Sequence, residues 1–225
     1  MKELIVNHYP KSSIAESIKA VRTNLRFSSV NEKVKTILIT SSIAGEGKSF
    51  ITANLAATFA NSKEKVLLID CDLRRGRQKD IFSNNAYSNM GLSNLLIDEE
   101  WEKNLNEYIQ KTEVNNLDII TTGSIPPNPT VLLESKKIEK IVGLLRDTYD
   151  VIIFDTPPVG GLADALVMSR LADAVLIVAK VKKVTLEMLE NTKESLKNVG
   201  ANVVGVILNG TDNKDNKYYK NYYTE

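Results

Sequence analysis

The sequence has one cysteine, one histidine and one tryptophan in 225 residues, and its 29 basic residues nearly cancel its 28 acidic ones. A lone Cys71 excludes an internal disulfide and any cysteine-rich metal centre. It is read as a small residue at a strand end, and His8 as a surface residue. A net charge of +1 supplies no field to recruit nucleic acid or an anionic membrane, so no nucleic-acid partner is expected. No apolar run reaches the roughly 18 to 20 residues that a bilayer-crossing helix needs. The opening MKELIVNHYP is too short and polar for a signal peptide. The expectation is a soluble, intracellular protein.

What the chain has is apolar residues, 43% of the total, enough for one sizeable core. They fall in short β-branched runs, KTILIT, KVLLID, NLDIIT, YDVIIFD, DAVLIVAK and ANVVGVILN, separated by helical patterns such as Leu132, Leu133, Ile138, Ile141, Val142 and Leu145. Repeated βα units of this kind wind into a doubly wound, mostly parallel sheet with helices on both faces and ligands at the carboxyl ends of the strands. Residues 1–209 are read as one α/β domain and 210–225 as a flexible tail. Residues 75–115 carry few strong patterns and are read as a mobile or partner-facing insertion.

At the end of the first strand the chain reads ILITSSIAGEGKSF. The phosphate-loop pattern GxxxxGK[ST] fits with Ser42 in place of its first glycine, then Gly47, Lys48 and Ser49. Small residues at Ser42, Ala44, Gly45 and Gly47 let backbone amides turn inward as a nest for a polyphosphate at a helix N-terminus. Glu46 and Phe50 complete the candidate nucleotide site. Lys48 brings a point charge to the terminal phosphates, and the Ser49 hydroxyl suits a Mg²⁺ shell. Two further apolar strands end in acids, VLLIDCD in Asp70 and Asp72, and VIIFD in Asp155. Acids emerging beside a phosphate loop supply the oxygen ligands that Mg²⁺ needs beyond the nucleotide's own.

The two ends of the chain carry different signals. Residues 13–27 read as an amphipathic helix with a capping box from Ser13 to Glu16. Its apolar stripe is Ile14, Ile18, Val21 and Leu25, with Glu16, Lys19, Arg22 and Arg26 across from it. The last eight residues, YYKNYYTE, hold four of the eight tyrosines, Tyr218, Tyr219, Tyr222 and Tyr223. They follow a polar run with no structural period, so they have no core to enter; they are read as phosphate acceptors, the alternative being a tail that docks on another protein.

LLIDCDLRRGR resembles the second Walker motif, often called A′, of the bacterial tyrosine kinases that accompany capsule and exopolysaccharide synthesis. SSIAGEGKS, GLSNLL, SIPPNPTVLL and VIIFDTPPVGGLADA resemble the same family in order and spacing, from about residue 12 to the tail. The resemblance implies a P-loop NTPase fold and transfer of the γ-phosphoryl group of ATP, with Mg²⁺, to tyrosines of the tail and of other proteins. Lys48 and the loop amides would hold the phosphates; Ser49, Asp70 and Asp155 would hold the metal. Asp70 or Asp72 would orient or deprotonate the phenol, with Asp70 favoured. Glu16, Lys19 and Arg22 fall where similar kinases join subunits into a ring, although Lys19 replaces the family's usual first arginine and lacks its bidentate fork. The resemblance also implies a separate transmembrane activator protein that recruits a cytoplasmic kinase to the inner face of the membrane. The alternative is a nucleotide-switched regulatory ATPase related to cell-division and partition ATPases. Those of the deviant-Walker type carry a lysine where this chain has Ile43. LNGTD faintly matches a base-recognition pattern, which makes Asn209 a candidate near the base.

Overall fold

Alternation within three central strands decides the layering. In β1 (Thr36–Ser41), Ile37 and Ile39 turn to one side of the sheet and Leu38 to the other. Likewise Leu68 opposes Leu67 and Ile69 in β2 (Val66–Asp70), and Ile153 opposes Ile152 and Phe154 in β5 (Val151–Asp155). Two apolar faces require helices on both. The computed structural model describes residues 3–27, 34–82 and 90–211, and it has that arrangement.

Four more strands extend the sheet: β3 (Gln110–Lys111), β4 (Leu117–Ile120), β6 (Ala174–Lys180) and β7 (Val203–Asn209). The order across the sheet is β3-β4-β2-β5-β1-β6-β7, all parallel except β3, which pairs antiparallel with β4. The expected doubly wound, mostly parallel sheet is therefore present. One face is covered by α1 (Ile5–His8), α2 (Ser13–Phe27), α3 (Lys48–Ala60) and α4 (Gln78–Ile81), which bury Val6, Ile18, Phe59 and Ile81 against it. The other face carries α5 (Leu92–Ile97), α6 (Trp101–Tyr108), α7 (Pro129–Leu133), α8 (Lys136–Thr148), α9 (Asp164–Ser169) and α10 (Leu186–Asn198). Helix α3 is buried at almost every position because α2 lies over it.

Three local expectations change. The stretch 75–115 is not featureless: it holds α4, α5, α6 and the antiparallel strand β3, elements of two to eight residues. Helix α2 is capped one residue earlier than expected. The Ser12 hydroxyl accepts from the Ala15 amide (3.2 Å), while the Glu16 carboxylate is taken by Lys19 (2.7 Å) instead of reaching back. Its buried stripe is Ala15, Ile18 and Leu25, and Ile14 is about half exposed. Asn54, fully buried in α3, pins the preceding segment: it accepts from the Val6 amide (3.1 Å) and donates to the Glu3 carbonyl (2.8 Å). Among the described residues no helix is long and apolar enough to cross a membrane.

Candidate active site

The sheet order sets β2, β5 and β1 side by side, so the loops leaving their carboxyl ends converge. The register goes further, because Asp70 and Asp155, the last residues of β2 and β5, are direct partners across the ladder. The loop between β1 and α3 turns beside them.

That loop is built from within. Gly45 and Gly47 take left-handed φ values of 77° and 89°, which L side chains adopt only with strain. A Cβ on Gly47 would lie 2.2 Å from Asn209 Nδ2. The Glu46 side chain is buried and acts as an internal strut: Oε2 accepts from the Ile43 amide (2.8 Å) and Oε1 from the Lys180 amide of β6 (3.0 Å). Asn209, at the end of β7, donates to the Glu46 carbonyl (2.8 Å), and Lys183 donates to the Ala44 carbonyl (2.7 Å). Thr192 of α10 donates to the Ser42 hydroxyl (2.9 Å). These contacts fix the loop before any ligand arrives.

Beside the loop lies a cleft of about 580 Å³. Ala44, Gly45, Gly47, Lys48, Ser49 and Phe50 line one wall, and Asp72, Arg74, Arg75 and Arg77 another. Among the expected nucleotide residues, Ser42, Glu46 and Asn209 stand behind this wall as braces. Asn209 instead borders a smaller groove of about 220 Å³ between α2 and β7, which Phe50 shares.

The acids occupy two depths. Asp70 and Asp155 are each about 1% exposed. Burial, then the neighbouring Asp155 charge, holds the Asp70 carboxyl well above the usual range. Burial also raises Asp155, against the opposing pull of Lys48 and of hydrogen bonds from Gln78 and Ser49. Asp72 stands at the cleft, with Oδ1 accepting from the Arg75 amide (2.9 Å). Gln78, which belongs to none of the three motifs, links them. Its amide donates to Asp70 Oδ2 (3.0 Å), and its side-chain Nε2 donates both to Asp155 Oδ2 (2.7 Å) and to the Ser49 carbonyl (3.1 Å). No spacing rule singles out a glutamine eight residues past an aspartate.

Two buried, adjacent carboxylates with raised proton affinity fit a site completed by a cation. The donor set of Ser49, Asp70 and Asp155 is all oxygen, as Mg²⁺ prefers. Among the described residues no group of three or more His, Cys, Asp or Glu is arranged to hold a metal unaided. That agrees with Mg²⁺ bound mainly through phosphates, water and one or two carboxylates.

The remaining site residues divide. Glu16 and Lys19 pair with each other, Lys19 also donates to the Pro10 carbonyl (2.8 Å), and Arg22 donates to the Ser62 hydroxyl. Tyr218, Tyr219, Tyr222 and Tyr223 lie outside the described residues.

A pre-formed phosphate loop, an adjoining acid pair and a doubly wound sheet define a P-loop nucleotide-binding domain. The family described as an AAA domain matches residues 34–205. CapB of Staphylococcus aureus is 36% identical over 222 residues, covering 99% of this chain and 95% of that protein. The tyrosine-protein kinase YwqD of Bacillus subtilis (strain 168) is 35% identical over 224 residues, covering 100% and 92%. The tyrosine-protein kinase etk of Escherichia coli (strain K12) is 35% identical over 201 residues, which are 89% of this chain and only 27% of Etk. Among solved structures, the chimerical protein CapA2B2 superposes with a TM-score of 0.85 at 36% identity, covering 92% of this chain and 89% of its own. The chain belongs to the bacterial tyrosine-protein kinase family.

Proposed function

We propose that this protein is an ATP- and Mg²⁺-dependent protein tyrosine kinase that phosphorylates its own C-terminal tyrosines and, through that activity, regulates capsular or exopolysaccharide synthesis. The observation that carries the reading is that the cleft has two chemically different walls. Lys48 and the left-handed loop suit a polyphosphate, and Asp72, with Asp70 behind it, suits an acceptor hydroxyl.

Bound Mg²⁺ would be held by Ser49, Asp155 and Asp70, and would supply charge neutralisation at the phosphates. The chain's own residues do the rest. Lys48 and the amides of residues 44–49 fix the phosphates, so that transfer rests on positioning and electrostatics. The phenol oxygen forms the new bond to the γ-phosphorus as the bond to the bridging oxygen of ADP breaks. The phenol proton, of ordinary pKa about 10, passes to the Asp70–Asp72 pair. Asp70 is the favoured base, and Asp72, whose amide donates to Asp70 Oδ1 (3.2 Å), has the access to the cleft. Asn at each position in turn separates the roles: the base variant loses kcat, and the positioning variant raises KM for the acceptor.

A tail that reaches a neighbour's cleft needs an assembly, for which Glu16, Lys19 and Arg22 are the proposed contacts. A separate transmembrane activator is the proposed partner, recruiting the kinase to the inner face of the membrane. The small share of Etk that this chain matches supports such a division. Incubation with γ-labelled ATP followed by phosphoamino-acid analysis tests the function. Phosphotyrosine is expected; release of inorganic phosphate with no phosphotyrosine would replace the kinase reading with the nucleotide-switch one. Mixing a Lys48→Met protein with an active protein whose four tail tyrosines are phenylalanine tests transfer between molecules. Label on the Lys48→Met chain is expected, and an unlabelled chain under assembling conditions refutes it.

A further inference from the structure

The acceptor wall of the cleft carries more positive charge than phosphate transfer uses. Among the residues lining the whole cleft, Lys48, Arg74, Arg75 and Arg77 face a single carboxylate, Asp72. Lys48 belongs to the phosphate loop. Arg74 is already spent: its Nε donates to Asp164 Oδ2 (2.9 Å), and Asp164 is fully buried. Arg75 and Arg77 remain. Both are exposed, and among the described residues the Arg75 guanidinium makes no hydrogen bond or ion pair. Among the described residues the Arg77 side chain meets only Glu3, at 3.4 Å, with the two side chains 58% and 44% exposed. An exposed contact of that length is worth little and yields to a better anion.

The turn that presents these arginines is rigid. Gly76 sits between them, and a Cβ there would lie 2.1 Å from Thr122 Cγ2 and 2.6 Å from Asp70 Oδ2. Only glycine lets the backbone press onto Asp70. On one side Asp72 accepts from the Arg75 amide, and on the other the Gln78 amide is tied to Asp70. The two guanidinium groups thus extend from a clamped backbone a few residues from the acid that faces the acceptor. Two forks on a held backbone suit an oxyanion, and a phosphate with three oxygens more than a carboxylate.

We propose that Arg75 and Arg77 form an anion-binding subsite on the acceptor side of the cleft, selecting tyrosines whose sequence neighbour carries a phosphate or carboxylate. The inference rests on the tyrosine-kinase reading for its purpose. The tail supplies suitable neighbours: Tyr218–Tyr219 and Tyr222–Tyr223 are adjacent pairs. Once one tyrosine of a pair is modified, its phosphate occupies the subsite and draws the second into place. Modification of a pair then becomes ordered, with the first transfer slow and the next favoured.

The test reads binding, so it does not depend on turnover. Fluorescently labelled peptides of residues 220–225 are titrated with the full-length, dephosphorylated protein in the presence of ADP. Three forms are compared: unmodified, phosphorylated at Tyr222, and Tyr222→Glu. The phosphopeptide is expected to bind about tenfold tighter than the unmodified one, equivalent to about 1.4 kcal/mol. The Glu form falls between if any anion serves, and matches the unmodified peptide if phosphate alone is read. Either pattern supports the subsite. In the Arg75→Gln/Arg77→Gln double variant the ratio is expected to fall to about one, and in the wild type to contract as salt rises. Equal affinity of the wild-type protein for unmodified and phosphorylated peptides overturns the proposal. So does a double variant that loses ADP affinity while keeping its peptide preference, since the arginines would then serve the nucleotide. Selective binding by a protein that never labels tyrosine would leave the subsite standing and remove the kinase reading.

Discussion

Replacing Gly47 by alanine perturbs the phosphate loop at its tightest point, and the cost can be worked from two contacts. The backbone there is left-handed at φ 89°, where an L side chain costs about 1–2 kcal/mol. The new Cβ would also lie 2.2 Å from Asn209 Nδ2, so Asn209 must move and give up its 2.8 Å bond to the Glu46 carbonyl. A lost hydrogen bond adds about 1 kcal/mol. The total is about 2–3 kcal/mol, and for a domain of this size each kcal/mol lowers Tm by about 2–4 °C. Thermal unfolding of the nucleotide-free protein should therefore show a fall of roughly 5–10 °C. A Gly47→Ala/Asn209→Ala double variant removes the collision but not the backbone strain. Its Tm should lie above that expected if the two single effects simply added, with a coupling of about 1 kcal/mol. A Gly47→Ala protein melting within about 1 °C of wild type, or strict additivity in the cycle, would refute the argument that Asn209 and the loop share one constraint.

Other outcomes follow from the same geometry. Lys48→Met should abolish phosphoryl transfer while melting close to wild type, because the lysine charge serves the cleft; normal tail labelling by the folded variant would contradict this. Asp70 and Asp155 are held above the ordinary carboxylate value of about 4, so folding takes up protons between that value and their raised ones. The ligand-free protein should consequently lose stability as pH rises through that window. Asp70→Asn should flatten the slope in a Tm-against-pH series, and an unchanged slope would count against the assignment. Asn54→Leu strands the buried Val6 amide, at about 1–3 kcal/mol, and leaves the Glu3 carbonyl with the Ile5 amide alone. Its signature is faster hydrogen exchange across residues 3–9.

The legible parts of this chain were those with a period or a chemically unusual composition. KTILIT, KVLLID and YDVIIFD declare buried strands through their β-branched runs, and AGEGKS declares a phosphate loop because few other structures need glycine, glycine, lysine and serine in that order. Strand ends show where Asp70 and Asp155 emerge, but only the sheet register makes them partners. Elements of two to eight residues between 78 and 111 escape because so few residues cannot display a reliable period. Gln78 escapes for a different reason: its role is a set of three hydrogen bonds to residues 8, 29 and 77 positions away. Glu46 is visible as part of the motif, yet its sequence does not say that its carboxylate turns inward to hold Ile43 and Lys180. The apolar stripe of α2 is off by one position at Ile14, where the neighbouring Ala15 is the buried residue.

Asn209 is both the last residue of β7 and the side chain that grips the Glu46 carbonyl. Only Gly210 and Thr211 separate it from the segment that carries the four terminal tyrosines. A displacement of the β7 end at Asn209 meets the loop through one 2.8 Å bond. The peptide it would tug is the one between two left-handed glycines. The end of the last strand is thereby coupled to the part of the molecule that grips phosphate, like a hinge pin to a latch.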